Sequence, residues 1–219
     1  LQRMRRSMRT HAFTEGAILD TIYRNPSIVA RLYADFALRL MPGRERSPSE
    51  LLTQSALRRL CSSDTDVQTF TAFLHFNAHI LKTNFYKREI TALAFRMDPA
   101  FLNPAEYPLK PFGIFYTVGA EFRGFHIRFA DIARGGIRVV RSANTQAFAQ
   151  NVATVFDEGY GLSSTQQKKN KDIPEGGSKG IVLLNMGHTD KTEVAFKKFC
   201  DAILDLILVD TSAASATSA

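Results

Sequence analysis

The chain of 219 residues contains few cysteines and no long apolar run, and each scarcity excludes a class of protein. No stretch approaches the ~18 consecutive apolar residues of a membrane-spanning helix, so we expect no membrane partner. The 2 cysteines, Cys61 and Cys200, are far apart and form no CxxC pair, which argues against a cysteine-built metal site. We expect both thiols to be free in a reducing intracellular compartment, either the cytoplasm or the mitochondrion.

Several ligand-binding motifs are also missing. The sequence holds no GxGxxG, the glycine fingerprint of a dinucleotide-binding turn, and no GxxxxGK[ST] of a phosphate-binding loop. His75 and His79 are four residues apart, but Phe76 occupies the position that a glutamate takes in the HExxH zinc motif. We therefore expect no metal ion, and we expect both histidines to be ordinary residues on a helix face.

The overall charge is basic and the apolar content is ordinary. Lys+Arg number 28 against 21 Asp+Glu, a net charge of +7, which suits nucleic acid, an anionic surface or an acidic small substrate. No nucleic-acid recognition motif accompanies the basic residues, so we expect no nucleic-acid partner. The hydrophobic fraction of 45% is typical of a globular protein that buries a core without disulfides.

Hydrophobic periodicity changes along the chain. Residues 1–98 read as a mainly helical region, residues 99–111 as a proline-rich linker, and residues 112–209 as an α/β region. Residues 210–219 are small and polar, and we expect a disordered tail. The patterns predict helices over 28–40, 50–60, 64–81, 144–160 and 194–209, and strands over 112–118, 122–129, 137–140 and 179–184. Residues 91–97 are ambiguous between helix and strand.

Two basic segments centred on paired glycines could carry chemistry. The first glycine segment, residues 133–138, reads ARGGIR, and the second, residues 168–180, reads KKNKDIPEGGSKG. Paired glycines let a ligand approach the backbone, and Lys and Arg donate charge-assisted hydrogen bonds to carboxylate or phosphate. Lys179 opens an apolar strand, where desolvation favours the neutral amine that acid–base chemistry needs. The segments suit a small dianion; two glycine turns with solvated lysines are the alternative.

Both segments resemble the large NAD-specific glutamate dehydrogenases of the fungal type. The resemblance lies in residues 122–138 and 165–180 and is specific across 113–184. Short amino-acid dehydrogenases of the wider superfamily carry a related pair, K-G-G-[LI]-R and K-N…P-x-G-G-G-K. The resemblance implies an α/β fold, in which a helical N-terminal region precedes the mixed-sheet substrate-binding and dimerisation domain of amino-acid dehydrogenases, without the Rossmann domain.

The resemblance also implies roles for the charged residues. Lys179 matches the catalytic lysine of the family, and Lys169 matches the lysine that binds the substrate α-carboxylate. The neighbouring Lys168 and Lys171 leave that second match open by a position or two. Arg134 stands where the short enzymes have a lysine that contacts the distal carboxylate. Arginine keeps the charge there but replaces a point donor with a planar fork.

The glycines of both segments complete the implied substrate site, namely Gly135, Gly136, Gly176 and Gly177. The last two match glycines that let the substrate lie against the backbone. The implied activity is oxidative deamination of L-glutamate to 2-oxoglutarate and ammonia with NAD as cofactor, in a homo-oligomer.

The Rossmann domain and the catalytic aspartate of that family follow this region, and neither motif occurs before Ala219. We therefore expect the chain to be a fragment that carries the substrate-binding part and is inactive alone, with NAD bound mainly by a domain absent from it. The alternative is a non-catalytic partner subunit that keeps the substrate domain and has lost the nucleotide domain.

Overall fold

The computed structural model describes residues 14–44, 48–169 and 172–208. The chain divides into two compact units, one ending at Ile80 and the other beginning at Leu81. Among the described residues, no helix has the length and apolar character needed to cross a membrane. Lys171 and the predicted disordered tail, residues 210–219, lie outside the described residues.

Among its described residues, the first unit contains four α-helices: α1 (Glu15–Arg24), α2 (Pro26–Leu40), α3 (Gln54–Leu60) and α4 (Asp64–Ala78). The predicted start of the third helix near residue 50 is wrong, because Thr53 caps it and accepts a hydrogen bond from the Ala56 amide. Ser63 caps α4, and Asp64 and Asp66 occupy its first turn, where carboxylates interact favourably with the helix dipole.

A closed polar network lies among these helices. Asp35 is only 1% exposed, and its Oδ2 accepts from Arg39 Nε at 2.8 Å and from Asn77 Nδ2 at 3.3 Å. Its Oδ1 accepts from the Leu52 amide at 3.1 Å. Buried carboxylates require such partners, so Asp35 joins α2, α4 and the segment before α3. The surrounding core consists of Ile28, Leu32, Leu57, Phe70 and Leu74.

The sheet contains seven strands: β1 (Ile80–Thr83), β2 (Leu93–Met97), β3 (Gly113–Val118), β4 (Phe122–Arg128), β5 (Ala133–Arg134), β6 (Ile137–Val140) and β7 (Gly176–Leu184). Their order is β1-β2-β3-β4-β7-β5, and β6 also pairs with β7. Strands β2, β3, β4 and β7 pair antiparallel, whereas β5 and β6 run parallel to β7. The sheet is therefore mixed, as expected.

The sheet begins earlier in the chain than the predicted linker. Of the ambiguous residues 91–97, residues 93–97 form β2, which pairs along its whole length with β3, from Leu93 opposite Val118 to Met97 opposite Ile114. The predicted helix over 64–81 ends at Ala78, and β1 follows it. A partner strand, which periodicity does not reveal, decides the state of short apolar runs like these. The prolines of residues 99–111 therefore lie inside the second unit.

Two further helices cover the sheet: α5 (Thr145–Gln167) and α6 (Thr192–Ile207). Strand β7 is buried on both faces, since Ile181 belongs to a cluster with Val155 of α5, and its neighbour Val182 to a cluster with Phe199 of α6. Three apolar residues of α6 are nevertheless 40–54% exposed: Phe196, Leu204 and Ile207.

Candidate functional site

Strand pairing brings the two glycine segments side by side. Strand β5 places Arg134 next to Gly177, and β6 places Ile137 next to Gly180, both in parallel register with β7. The Gly180 amide donates a hydrogen bond to the Gly136 carbonyl at 3.1 Å. The segments that the sequence singled out separately are therefore adjacent in the fold.

The amine of Lys179 lies over the first segment. Its Nζ is 3.8 Å from the position that a Cβ of Gly136 would take, and no other atom comes within 4 Å of that position apart from chain neighbours. The Lys179 side chain is half-buried, and no residue that the structure describes forms a hydrogen bond or an ion pair with its Nζ. Unlike Gly136, Gly135 has no open space beside it, because a Cβ there would lie 1.7 Å from the Ser178 carbonyl oxygen.

The glycines of the second segment are enclosed by protein. A Cβ at Gly176 would lie 2.4 Å from the Ala130 Cβ, and one at Gly177 would lie 2.3 Å from both the Gln167 amide nitrogen and the Ser163 carbonyl oxygen. Both positions require glycine so that β7 can approach its neighbours. Their predicted contact with a substrate stays a prediction.

Arg134 is held by a carboxylate of the second segment. Its Nε forms an ion pair with Glu175 Oε1 at 2.6 Å, and the side chains are 54% and 17% exposed, respectively. Residue types and spacing alone do not single out Glu175. Its only signal was its place as the acid directly before the paired glycines of a lysine-rich segment.

The end of α5 reaches the start of β7. The Gly177 amide donates to Gln167 Oε1 at 2.8 Å, so the two residues that follow, Lys168 and Lys169, come near the second glycine pair. Both lysines are exposed. Cations at a helix C-terminus also favour the helix dipole. This placement is compatible with either register of the predicted α-carboxylate lysine.

His126 of β4 lies apart from the Lys179 amine. It pairs with Gly180 across β4 and β7, and successive strand residues point to opposite faces, so His126 and Lys179 occupy different faces. Burial lowers the pKa of His126 to about 4, and the positive charge of Arg128 adds to the shift. His126 is therefore a neutral, packed residue at neutral pH.

The described residues provide no fit for the pyrophosphate of NAD. Dinucleotide-binding turns join a strand to a helix and use several glycines for close approach of the backbone. The connection from β6 to α5, residues 141–144, contains no glycine, and that from β7 to α6, residues 185–191, contains Gly187 alone. We therefore assign no residue of this part of the chain to cofactor binding.

Comparison with known proteins gives the family. The family described as bacterial NAD-glutamate dehydrogenase, catalytic domain, matches residues 53–214. Glutamate dehydrogenase 2 of Dictyostelium discoideum is 45% identical over 217 residues, and the NAD-specific glutamate dehydrogenase of Neurospora crassa is 45% identical over 221 residues. Each comparison covers 95% of this chain and 21% of the relative.

The chain thus spans about a fifth of the length of the curated relatives it matches. The family match covers most of the chain and includes both glycine segments. The chain accordingly belongs to the family of NAD-glutamate dehydrogenase catalytic domains, a family of NAD-dependent oxidoreductases.

Proposed function

We propose that this chain supplies the substrate-binding part of an enzyme that oxidatively deaminates L-glutamate to 2-oxoglutarate and ammonia with NAD. One observation carries the proposal: strand pairing makes the two basic segments adjacent, and the amine of Lys179 in the second lies over Gly136 in the first. Family membership supports the choice of glutamate and NAD, since the relatives are named as NAD-specific glutamate dehydrogenases.

The arrangement suits a substrate with two carboxylates. Arg134 lies beside Gly177, two residues before Lys179 on β7, and therefore on the same face as the lysine. A strand rise near 3.3 Å and a strand separation near 4.8 Å put the two Cα atoms roughly 8 Å apart. A small dicarboxylate can therefore have its distal carboxylate at Arg134 while its reacting carbon lies near Lys179.

Each residue has a defined part in the proposed site. Arg134 binds the distal carboxylate, and Lys169 binds the α-carboxylate at the end of α5. Gly136 leaves open space beneath the Lys179 amine, whereas Gly135, Gly176 and Gly177 let the backbones pack closely enough to hold these groups.

Lys179 performs the proton transfer in this proposal. NAD supplies hydride acceptance at the substrate Cα when it is bound, and the described residues are assigned no part in that step. Water then adds to the substrate iminium carbon and ammonia leaves, while Lys179 assists transfer of the proton that the attacking water gives up. Such general base assistance is worth roughly 10²–10⁴-fold in rate.

The test is substrate-dependent reduction of NAD by the full-length protein that carries this sequence. We expect L-glutamate to support NADH formation, and we expect L-norvaline, which has a propyl side chain in place of the carboxyethyl group, to support little. NADH formation with L-norvaline but not with L-glutamate would contradict the proposal. The homo-oligomeric state, predicted from the resemblance, is tested on the same preparation by light scattering.

A further inference from the structure

Glu175 occupies a fixed position between the two glycine segments. Its backbone amide donates to the Ile173 carbonyl at 2.9 Å, and the amide of the next residue, Gly176, donates to the Ile132 carbonyl at 2.7 Å. The first bond closes a local turn, and the second fastens the residue after Glu175 to the chain that leads into β5. The Glu175 carboxylate, which is 17% exposed, then meets the Arg134 guanidinium through Nε.

We propose that Glu175 is a positioning residue that orients Arg134 for the distal carboxylate of the substrate, an inference that rests on the proposed function. A guanidinium carries its N–H donors in one rigid plane. Because Glu175 engages the Nε side, the orientation of the plane is set, and the Nη groups are directed to a second carboxylate.

The pair accounts for the arginine at this position. A lysine ammonium is a point donor on a flexible stem, so the Glu175 carboxylate would compete with the substrate carboxylate for it. An arginine satisfies both carboxylates at once from different edges of its fork. The replacement of lysine by Arg134 and the presence of Glu175 are thus two parts of one device for recognising a dicarboxylate.

The chain provides a matched control in a second arginine–glutamate pair. Arg138 of β6 pairs with Glu158 of α5, and both side chains are partly exposed, at 58% and 33%. Neither residue belongs to the proposed substrate site. Removing the Glu158 charge therefore reports the general cost of losing such a pair in this sheet.

The experiment compares Glu175→Gln with Glu158→Gln in the full-length protein. We expect Glu175→Gln to raise the KM for L-glutamate roughly tenfold, as for loss of a charge-assisted hydrogen bond, with kcat changed less than about threefold. We expect Glu158→Gln to leave KM unchanged. Glu175→Asp, which keeps the carboxylate, should retain most of the wild-type affinity; a KM as high as that of Glu175→Gln would overturn the proposal.

A double variant separates positioning from other roles. Since Glu175 acts through Arg134, Glu175→Gln should add no further rise in KM to that of Arg134→Ala. Additive effects, or a lowered KM in Glu175→Gln, would overturn the inference, the latter because Glu175 would then compete with substrate. If Arg134→Ala raises KM and Glu175→Gln does not, only this inference fails; if the wild type does not turn over L-glutamate, the proposed function fails.

Discussion

Two arginine–carboxylate pairs, one in each unit, show how the same contact serves different ends. In the first unit, Asp35 is 1% exposed, and Arg39, Asn77 and the Leu52 amide use both of its oxygens. In the second, Arg134 pairs with Glu175 but remains 54% exposed. The oxygens of Asp35 are all used to hold helices together. The exposed guanidinium of Arg134 instead leaves donors available for the proposed substrate.

Gly43 of the first unit is required for a different reason from Gly135 and Gly177 of the second. Gly43 ends the turn after α2 with a φ of 73°, and nothing lies within 4 Å of the position that its Cβ would take. Gly135 and Gly177 have ordinary φ values, but neighbouring backbone occupies their Cβ positions. Gly43 therefore serves a turn, whereas Gly135 and Gly177 serve close packing of the backbone beside cations.

The largest expected effect is loss of catalysis without loss of stability. Lys179→Ala should lower kcat by roughly 10²–10⁴-fold while the unfolding free energy stays within about 0.5 kcal/mol, because the amine acts on substrate and has no partner among the described residues. Steady-state kinetics and urea unfolding of the full-length protein measure both. Lys197→Ala, at an exposed lysine paired with Glu193 within α6, is the control. A near-normal kcat in Lys179→Ala would remove the lysine from the mechanism.

At Asp35 we expect the converse, a large loss of stability. Asp35→Ala leaves the Leu52 amide without its acceptor, takes one of two acceptors from Asn77 Nδ2, which keeps the Leu32 carbonyl, and breaks a buried ion pair, so we expect a loss of about 3–5 kcal/mol in unfolding free energy. Glu193→Ala breaks an ion pair of the same i,i+4 spacing on the exposed side of α6 and should cost far less, because solvent screens an exposed pair. Equal losses in the two variants would show that the closed network contributes no more than a surface pair.

A third, smaller effect is a pH-dependent loss of stability caused by His126, which is buried without a full set of hydrogen-bond partners. The Nδ1 of His126 is buried and has no hydrogen-bond partner among the described residues, and burial lowers the pKa of His126 from 6.5 to about 4. The unfolded chain then binds the proton more readily, so stability is lost as pH falls from about 6.5 towards 4. Between pH 7 and pH 5 the loss is about 2 kcal/mol.

The variant His126→Phe isolates this contribution, since phenylalanine does not titrate. Urea unfolding at pH 7 and pH 5 should show wild type losing about 2 kcal/mol more than the variant over that interval. Parallel losses in the two proteins would mean that His126 titrates in the fold as it does in the unfolded chain.

Local patterns predicted most of the second unit and failed where pairing decides the structure. The alternation in Phe122–Arg128 and the apolar run in Gly113–Val118 identified β4 and β3 because both strands carry strong β-formers between turn residues. The periodicity predicts helix for the start of β1 and does not decide between helix and strand for β2. Their state follows from their partner strands, which lie elsewhere in the sequence and leave no mark in a local period.

The candidate site shows the same division. Lys179, Arg134 and the glycines could be singled out from residue type and from the resemblance. Glu175 could not, since its role appears only when parallel pairing of β5 with β7 sets it against the arginine. Gln167 was missed for a related reason, because the predicted helix ended at residue 160, whereas α5 continues to Gln167 and contacts Gly177.

The smallest expected effect fixes the register of the α-carboxylate lysine. Lys169→Ala should raise the KM for L-glutamate roughly tenfold with kcat little changed, since it removes binding that the ground state and the transition state share. Lys168→Ala is the matched control: it is the adjacent exposed lysine at the same helix end, so both variants alter the helix dipole interaction alike. A rise in KM for Lys168→Ala instead would shift the assignment by one residue. Equal small effects in both would leave the lysines as stabilisers of the end of α5, in the manner of the closed Asp35 network.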